Sequence, residues 1–204
     1  MVASAELGLS PLPMQKGLCL IYVNSIPDAA HATLDILDLK PAAVELIDDI
    51  LWESTRGQIA FKETRALLGL DDHPCKAILI VEFFEDIDDR IAQLSRRDIG
   101  VRKLVVTDAR EMEMVWALRK AGLSLLTGCK GSSKPVPGIE DVAVPPQRLP
   151  DYVNGLLGIF DRLGLEGSFY GHAASGLLHV RPVLDLHRAE DVARYRQVSD
   201  EVAA

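Results

Sequence analysis

Two histidines and one arginine stand close together in the last third of the chain. His172 and His179 are seven positions apart in the segment Gly-His-Ala-Ala-Ser-Gly-Leu-Leu-His-Val-Arg-Pro at 171–182. Imidazole nitrogens bind zinc and other borderline divalent metals, and a histidine can also accept a proton from a substrate hydroxyl. Two ligands do not complete a metal site. The spacing therefore leaves open that His172 is a polar turn residue and His179 a half-buried strand residue.

Arg181 follows His179 by two positions, in an apolar stretch that is typical of a strand. Side chains two apart on a strand point to the same face, so we expect this imidazole and this guanidinium to lie together. A guanidinium binds a carboxylate in a bidentate manner. The pair indicates a site for a small anionic ligand, and the alternative is an exposed, salt-bridging arginine.

Arg119 and a pair of acids are the other residues that could take part in binding. Arg119 stands near the end of a predicted helix over 108–121, where a cation is favoured by the helix dipole whether or not it binds a ligand. Glu140 and Asp141 open an apolar strand predicted over 139–144. These acids could cap the strand, orient a histidine, bind a metal or simply lie at the surface.

Short apolar strands alternate with helical segments along the whole chain. The predicted strands are 17–24, 42–47, 75–84, 103–107, 139–144, 168–170 and 178–184. The predicted helical segments are 25–40, 50–73, 86–97, 108–121 ending at Gly122, 146–163 and a last helix from 188, and 128–138 is predicted to be a loop. This order suits either a doubly wound parallel sheet or an α+β layer of split β-α-β units. No G-x-G-x-x-G follows a strand, which favours the α+β layer.

The composition is that of an ordinary globular protein. The chain has 204 residues, of which 48% are hydrophobic and 25% charged, and its net charge of -8 argues against a nucleic-acid partner. Cys19, Cys75 and Cys129 form no C-x-x-C pair, which argues against an iron–sulfur cluster or a zinc ribbon within this chain. We expect reduced thiols and a cytoplasmic location. No apolar run is long enough for a membrane helix, and no signal peptide is evident.

Two motifs resemble the C-terminal domain of FAD-linked oxidases, a family that includes glycolate oxidase, D-lactate dehydrogenases and D-2-hydroxyglutarate dehydrogenase. One is Glu-Asp-Val-Ala-Val-Pro at 140–145 with Leu-Pro-Asp-Tyr at 149–152, and the other is Gly-His-x-x-x-Gly-x-x-His at 171–179. The segment Trp-Ala-Leu-Arg-Lys-Ala at 116–121 is similar to the arginine-bearing helix end of the family. His-Val-Arg-Pro at 179–182 is similar to large bacterial members that are fused to an iron–sulfur module.

The resemblance implies an α+β fold, with a mainly antiparallel, ferredoxin-like sheet and covering helices. It implies FAD held mainly by a flavin-binding domain outside this sequence, a divalent metal such as zinc, and an iron–sulfur cluster elsewhere in the parent protein. The implied partners are a small 2-hydroxy acid, that flavin-binding domain and an electron-acceptor module. We expect 1–16 to be a connector from the flavin-binding domain, 17–187 the substrate or cap domain, and 188–204 a truncated C-terminal helix.

The resemblance also assigns roles by position. His172 and His179 would lie on the substrate side of the flavin as catalytic residues and metal ligands, and Arg119 and Arg181 would bind the substrate. The positions assigned to the cofactor are Glu140, Gly171 and Gly176.

The chain departs from the fuller family pattern, Gly-His-x-Gly-Asp-Gly-Asn-x-His, at Ala174, Ser175 and Leu177, and it lacks a Glu-His-Gly segment that supplies another ligand in the family. We predict the substrate-binding domain of an FAD-dependent enzyme that oxidises a 2-hydroxy acid such as D-lactate, glycolate or 2-hydroxyglutarate. The isolated chain would be inactive, and the parent cytoplasmic or peripheral to a membrane. The alternatives are a non-catalytic α+β interaction or dimerisation module and a metal-dependent hydrolase that uses the two histidines.

Overall fold

A mainly antiparallel sheet forms the centre of the protein, whose computed structural model describes residues 4–9 and 11–203. The strands are β1 (Gly17–Val23), β2 (Ala43–Asp48), β3 (Ala77–Phe83), β4 (Arg102–Val106), β5 (Lys134–Pro135), β6 (Val142–Ala143), β7 (Gly167–His172) and β8 (Leu177–Leu184). Their order across the sheet is β4-β1-β3-β2-β7-β8-β5, and β6 pairs separately with β8. Every pairing between these strands is antiparallel, which confirms the α+β prediction.

Helices cover both faces of the sheet. They are α1 (Ile26–Leu37), α2 (Asp49–Glu53), α3 (Lys62–Leu68), α4 (Ile87–Arg96), α5 (Ala109–Thr127), α6 (Leu149–Leu163) and α7 (Ala189–Val202). Single 3-10 turns lie at Ile59–Phe61, Pro146–Arg148 and Ala173–Ser175. α1, α4, α6 and α7 contribute to the core on the first face, and α2, α3 and α5 to the core on the second. No helix in the described part of the chain is long and apolar enough to cross a membrane.

The central strands are apolar on both faces because helices bury both. In β1, Cys19 and Ile21 pack into the first core while Leu18 and Leu20 pack into the second. Strands buried in this way appear in the sequence as continuous apolar runs rather than as alternating ones, which is why they could be predicted. One acid interrupts such a run, since Glu45 lies in the middle of β2 and is 8% exposed.

α5 is longer than the sequence predicted. It continues through Gly122 to Thr127, so the prediction that Gly122 ends the helix is wrong, and Arg119 lies inside the helix rather than at its end. Gly122 instead allows close packing, because a Cβ atom at this position would lie 2.9 Å from Cδ1 of Leu51 in α2. Gly122 is thus needed for the close packing of α5 on α2, which the local sequence pattern does not reveal.

Other predicted boundaries also change. The segment 128–138 is not all loop, because β5 pairs there with Val183 and Leu184, and the strand predicted over 139–144 contracts to β6. The helical segment 50–73 is divided into α2, a 3-10 turn and α3.

Within the predicted connector 1–16, residues 4–9 and 11–16 have no regular secondary structure, while 1–3 and 10 lie outside the described residues. The predicted last helix corresponds to α7, and residue 204 is outside the described part. The division into domains stays a prediction.

Asp48 joins three elements at the end of β2. Its Oδ1 accepts hydrogen bonds from the backbone N–H of Leu51 at 3.0 Å, which caps α2, and from the hydroxyl of Ser168 at 3.1 Å. Its Oδ2 accepts from the backbone N–H of Phe169 in β7 at 2.7 Å. Burial raises the pKa of Asp48 to about 7, although these hydrogen bonds oppose the shift. The carboxyl group therefore connects β2 and β7, and its contribution to the free energy of unfolding depends on pH.

We predict that Asp48 makes the stability of the protein pH-dependent. Because folding raises the pKa of Asp48 from 3.8 to about 7, the folded state binds the proton more tightly than the unfolded state. The free energy of unfolding of the wild type, relative to Asp48→Asn, should therefore fall as pH rises from about 4 to about 7, and should then level off. Urea denaturation at several pH values measures this difference.

The exposed Asp72 provides the control, since Asp72→Asn should show no comparable pH-dependent difference from the wild type. A difference between wild type and Asp48→Asn that stays constant across this range would contradict the prediction.

Candidate functional site

The β7–β8 hairpin brings the predicted histidines together on the second face of the sheet. The register places Tyr170 directly opposite His179, and His172 and Arg181 lie two positions further along their strands, so all four share one face. The ring centroids of His172 and His179 are 5.7 Å apart, and those of Tyr170 and His179 are 4.9 Å apart. We call the set around these side chains the polar cluster; its members are Glu45, Arg119, Glu140, Asp141, Tyr170, His172, His179 and Arg181.

A carboxylate lies beside each imidazole. Nδ1 of His172 lies 2.7 Å from Oε1 of Glu45, its register partner in β2, and the two atoms are aligned for a hydrogen bond. Nδ1 of His179 lies 2.6 Å from Oδ1 of the exposed Asp141, but this contact is not aligned as a hydrogen bond. Where Nδ1 of His172 donates to the carboxylate of Glu45, its Nε2 atom is the one available to a ligand, an arrangement common among metal-binding histidines.

Glu45 also binds Arg119, which α5 carries across the second face. Nε and Nη2 of Arg119 lie 2.9 and 2.8 Å from Oε2 of Glu45, and the two side chains are 11% and 10% exposed. One carboxylate therefore bridges Arg119 and His172. Glu45 was not among the predicted site residues, although the sequence carries a signal: an acid inside the apolar run Ala-Val-Glu-Leu-Ile-Asp at 43–48 must find partners once it is buried.

Arg181 is the second buried cation of the cluster. Its Nη2 donates a hydrogen bond to Oε1 of Glu140 at 3.1 Å, and its side chain is 4% exposed. Nε of Arg181 and Oε2 of Glu140 approach to 2.9 Å, but they are not aligned for a hydrogen bond, and neither atom has another partner among the described residues. This ion pair is close but incompletely satisfied by the chain itself.

Tyr170 lies close to both arginines. The guanidinium carbons of Arg119 and Arg181 are 5.4 and 6.0 Å from the centre of its ring, within the range of cation–π attraction. Burial raises the pKa of the Tyr170 hydroxyl, so this group remains a neutral hydrogen-bonding partner near neutral pH. The tyrosine was not among the predicted site residues, and its place is set by the strand register.

The three residues predicted to contact the cofactor have contacts within the chain. Gly176 has a φ of 72°, and a Cβ atom there would overlap the carbonyl oxygen of Val144. A Cβ atom on Gly171 would lie 2.5 Å from the carbonyl oxygen of Leu177. Both glycines are thus required for close backbone packing, and Glu140 pairs with Arg181. Their assignment to the cofactor stays a prediction.

The cluster could supply part of a metal site. Two neighbouring imidazoles suit zinc or a similar divalent ion. No group of three or more His, Cys, Asp or Glu side chains that could hold a metal is found within residues 4–9 and 11–203. The described residues therefore fit two ligands of such a site and do not complete it.

The charges of the cluster do not by themselves favour an anion. Glu45, Glu140 and Asp141 carry one negative charge more than Arg119 and Arg181 neutralise. An anionic ligand would therefore need additional positive charge, which a metal ion or protonated imidazoles would provide.

We predict that Glu140 stabilises the fold through Arg181. Replacing Glu140 with alanine leaves a buried guanidinium without its counter-charge, so Glu140→Ala should lower the free energy of unfolding by about 3 kcal/mol. Urea denaturation at neutral pH measures this change.

The matched control is the exposed ion pair between Arg110 and Glu63, whose side chains are 76% and 71% exposed. Water already screens this pair, so Glu63→Ala should have little effect on stability. Equal effects of the two substitutions would show that burial does not strengthen the Glu140–Arg181 interaction.

Comparison with known proteins extends these observations. The family of FAD linked oxidases, C-terminal domain, matches residues 12–204. Two curated proteins named D-2-hydroxyglutarate dehydrogenase, from Haemophilus influenzae and Pantoea ananatis, are 32% and 31% identical to this chain over 224 and 227 residues. These alignments cover 99% and 100% of this chain and 21% of each relative. The chain thus spans about a fifth of the length of the curated relatives it matches.

Solved structures share the fold at low sequence identity. The 4-ethylphenol oxidase from Gulosibacter chungangensis, in an isoeugenol complex, aligns with a TM-score of 0.55 at 12% identity, over 95% of this chain and 44% of that one. The p-cresol methylhydroxylase with substrate bound aligns with a TM-score of 0.60 at 12% identity, over 94% of this chain and 43% of that one. Given the family match over nearly its whole length, the chain belongs to the C-terminal domain family of FAD-linked oxidases.

Proposed function

We propose that this chain forms the substrate side of an FAD-dependent dehydrogenase that oxidises a 2-hydroxy acid. The observation that carries the proposal is the convergence of two arginines and two histidines, each beside a carboxylate, around Tyr170. Family membership and the names of the curated relatives support it. On this proposal the chain alone lacks the flavin and is inactive. The iron–sulfur cluster and the electron-acceptor module remain predictions.

FAD, when another part of the protein binds it, supplies the group that accepts hydride from the α-carbon of the substrate. The polar cluster is compatible with such an arrangement because the His172 side chain is 52% exposed, so a ligand held from outside this chain can reach it. The chain's own residues bind and orient the substrate and assist the removal of the proton from its hydroxyl group.

The arginines bind carboxylate oxygens. Glu45 engages Nε and Nη2 of Arg119, which leaves Nη1 for a ligand. Glu140 engages Nη2 of Arg181 and lies against its buried Nε, which leaves Nη1 of that residue for a ligand. A 2-hydroxy acid with a second carboxylate would use both guanidiniums, one at each end. This match, together with the name of the relatives, makes D-2-hydroxyglutarate the first substrate to test.

The histidines act on the hydroxyl group. The lone pair on Nε2 of each imidazole would either hold a divalent metal, which would polarise the hydroxyl, or accept the hydroxyl proton directly. The excess negative charge of the cluster favours the metal, because an added dication would make the surroundings attractive to an anionic substrate. Both uses place the hydroxyl beside His172 and His179 while the arginines hold the carboxylates.

We predict separate roles for the two arginines in the full-length protein. Arg119→Met and Arg181→Met should each lower kcat/KM for D-2-hydroxyglutarate by about 10²-fold, because a misplaced substrate loses its reactive geometry. If one arginine binds the distal carboxylate, its replacement should leave activity on D-lactate largely unchanged. Steady-state kinetics on both substrates measure these effects.

Arg110 is the matched control, since it lies on the same helix as Arg119 but is 76% exposed and pairs with Glu63 rather than with a member of the polar cluster. Arg110→Met should retain wild-type activity. Unchanged turnover in both cluster variants would contradict the enzymatic role and favour a non-catalytic interaction module.

We also predict that the histidines retain a metal. The purified full-length protein should contain about one divalent ion per chain, and His172→Gln and His179→Gln should lose it, because each removes an imidazole ligand. Metal analysis by mass spectrometry gives the stoichiometry. His187→Gln is the control, since His187 is 87% exposed and lies outside the cluster. A wild-type protein without metal would leave direct proton transfer to a histidine as the role of these residues.

A further inference from the structure

We propose that Glu45 is a positioning residue that holds His172 and Arg119 in the orientations that the substrate requires. The inference rests on the proposed function and deepens it, because it identifies what fixes the two groups that would contact substrate. Glu45 belongs to none of the recognisable motifs of the chain, and it lies on β2, far in sequence from both residues it binds.

The two oxygens of Glu45 have different tasks. Oε1 lies 2.7 Å from Nδ1 of His172, aligned for a hydrogen bond, while Oε2 accepts from Nε of Arg119 at 2.9 Å, with Nη2 at 2.8 Å. The Glu45 side chain is 10% exposed, so the protein rather than water satisfies most of its hydrogen-bonding capacity. A single carboxylate thus connects β7 to α5 across β2.

Glu45 decides which nitrogen of His172 is free. A carboxylate at Nδ1 requires a proton there, which leaves the lone pair on Nε2. Few other contacts hold the His172 ring. The side chain is 52% exposed, and among the described residues its aromatic contact is the edge-on one with His179, at 5.7 Å between ring centroids. Without Glu45, both the rotation of the imidazole and the choice of tautomer would be unrestrained.

The same carboxylate sets the direction of Arg119. Within residues 4–9 and 11–203, Glu45 provides the only ion pair of this guanidinium, and the contact uses one edge of the planar group. The group is therefore held in one plane with Nη1 directed away from Glu45. The long, flexible side chain loses less conformational freedom on binding substrate when it is already fixed in this way.

A negative charge is necessary for both tasks at once. A glutamine at this position has one carbonyl oxygen, which can accept from only one of the two partners, and its amide group would present a donor to the other. Glu45→Gln therefore preserves the shape of the residue while removing the bridge.

Nuclear magnetic resonance of the chain labelled with ¹⁵N-histidine reads the tautomer directly. The chain contains five histidines, and His172→Gln identifies the signals of His172 by their loss. In the wild type, long-range ¹H–¹⁵N correlations near neutral pH should show His172 with its proton on Nδ1. A wild-type His172 with its proton on Nε2 would overturn the proposal, and this result does not depend on any variant folding.

Glu45→Gln should shift the ring ¹⁵N frequencies of His172 towards the mixture of tautomers seen for an unrestrained imidazole. Glu82→Gln is the matched control, because Glu82 is a second buried acid, 7% exposed, on the neighbouring strand β3, and it contacts neither His172 nor Arg119 by hydrogen bond. A purely structural role for Glu45 would lower the melting temperature without moving the tautomer. An unchanged His172 spectrum in folded Glu45→Gln would therefore overturn the inference.

Kinetics of the full-length protein complete the test. Glu45→Gln should slow flavin reduction by D-2-hydroxyglutarate by about 10- to 100-fold, the usual effect of removing a group that orients a ligating histidine. Glu82→Gln should reduce the flavin at the wild-type rate. If no 2-hydroxy acid reduces the flavin in the wild type, the proposed function fails, whereas the tautomer measurement still decides the role of Glu45. Wild-type flavin reduction in Glu45→Gln would overturn that role.

Discussion

The burial of the Glu45 carboxylate is the constraint on which the arrangement of the site depends. A charged group on a strand covered by helices is unfavourable unless other charged or polar groups compensate for the lost water. Arg119 from α5 and His172 from β7 provide this compensation at hydrogen-bonding distance. Three elements that are distant in sequence are thus brought into one geometry, and the histidine and arginine most relevant to a ligand acquire defined orientations as a result.

The rest of the polar cluster repeats the same pattern. Asp141 lies beside His179, and Glu140 accompanies the buried Arg181, so every cation or imidazole in the cluster has a carboxylate partner. Such a network is paired within itself and nearly neutral, with a slight excess of negative charge. The charge balance means that attraction for an anion has to come from a further component. The described residues thus provide the paired side chains of the site but not the positive charge that an anion would need.

The sheet supplies the platform for this network. Its central strands are buried on both faces, so two hydrophobic cores determine their positions. The antiparallel register of β7 and β8 then determines which side chains of the polar cluster lie next to each other. Asp48 reinforces the connection by joining β2 to β7, the two strands that carry Glu45 and His172. Because packing and register fix the backbone, the polar side chains of the strands and of α5 acquire specific partners, and the loop before β6 adds Glu140 and Asp141.

The sequence alone was enough to predict the strands, most of the helices, the antiparallel α+β class and the family, because apolar runs and short motifs are local properties of the chain. It also indicated His172, His179, Arg119 and Arg181 as residues that could act together. It did not identify Glu45 or Tyr170, and it placed the end of α5 at Gly122. Only the tertiary structure decided these, since strand register selects which residues face each other, helix packing requires a glycine, and a buried charge draws its partners from wherever the fold brings them.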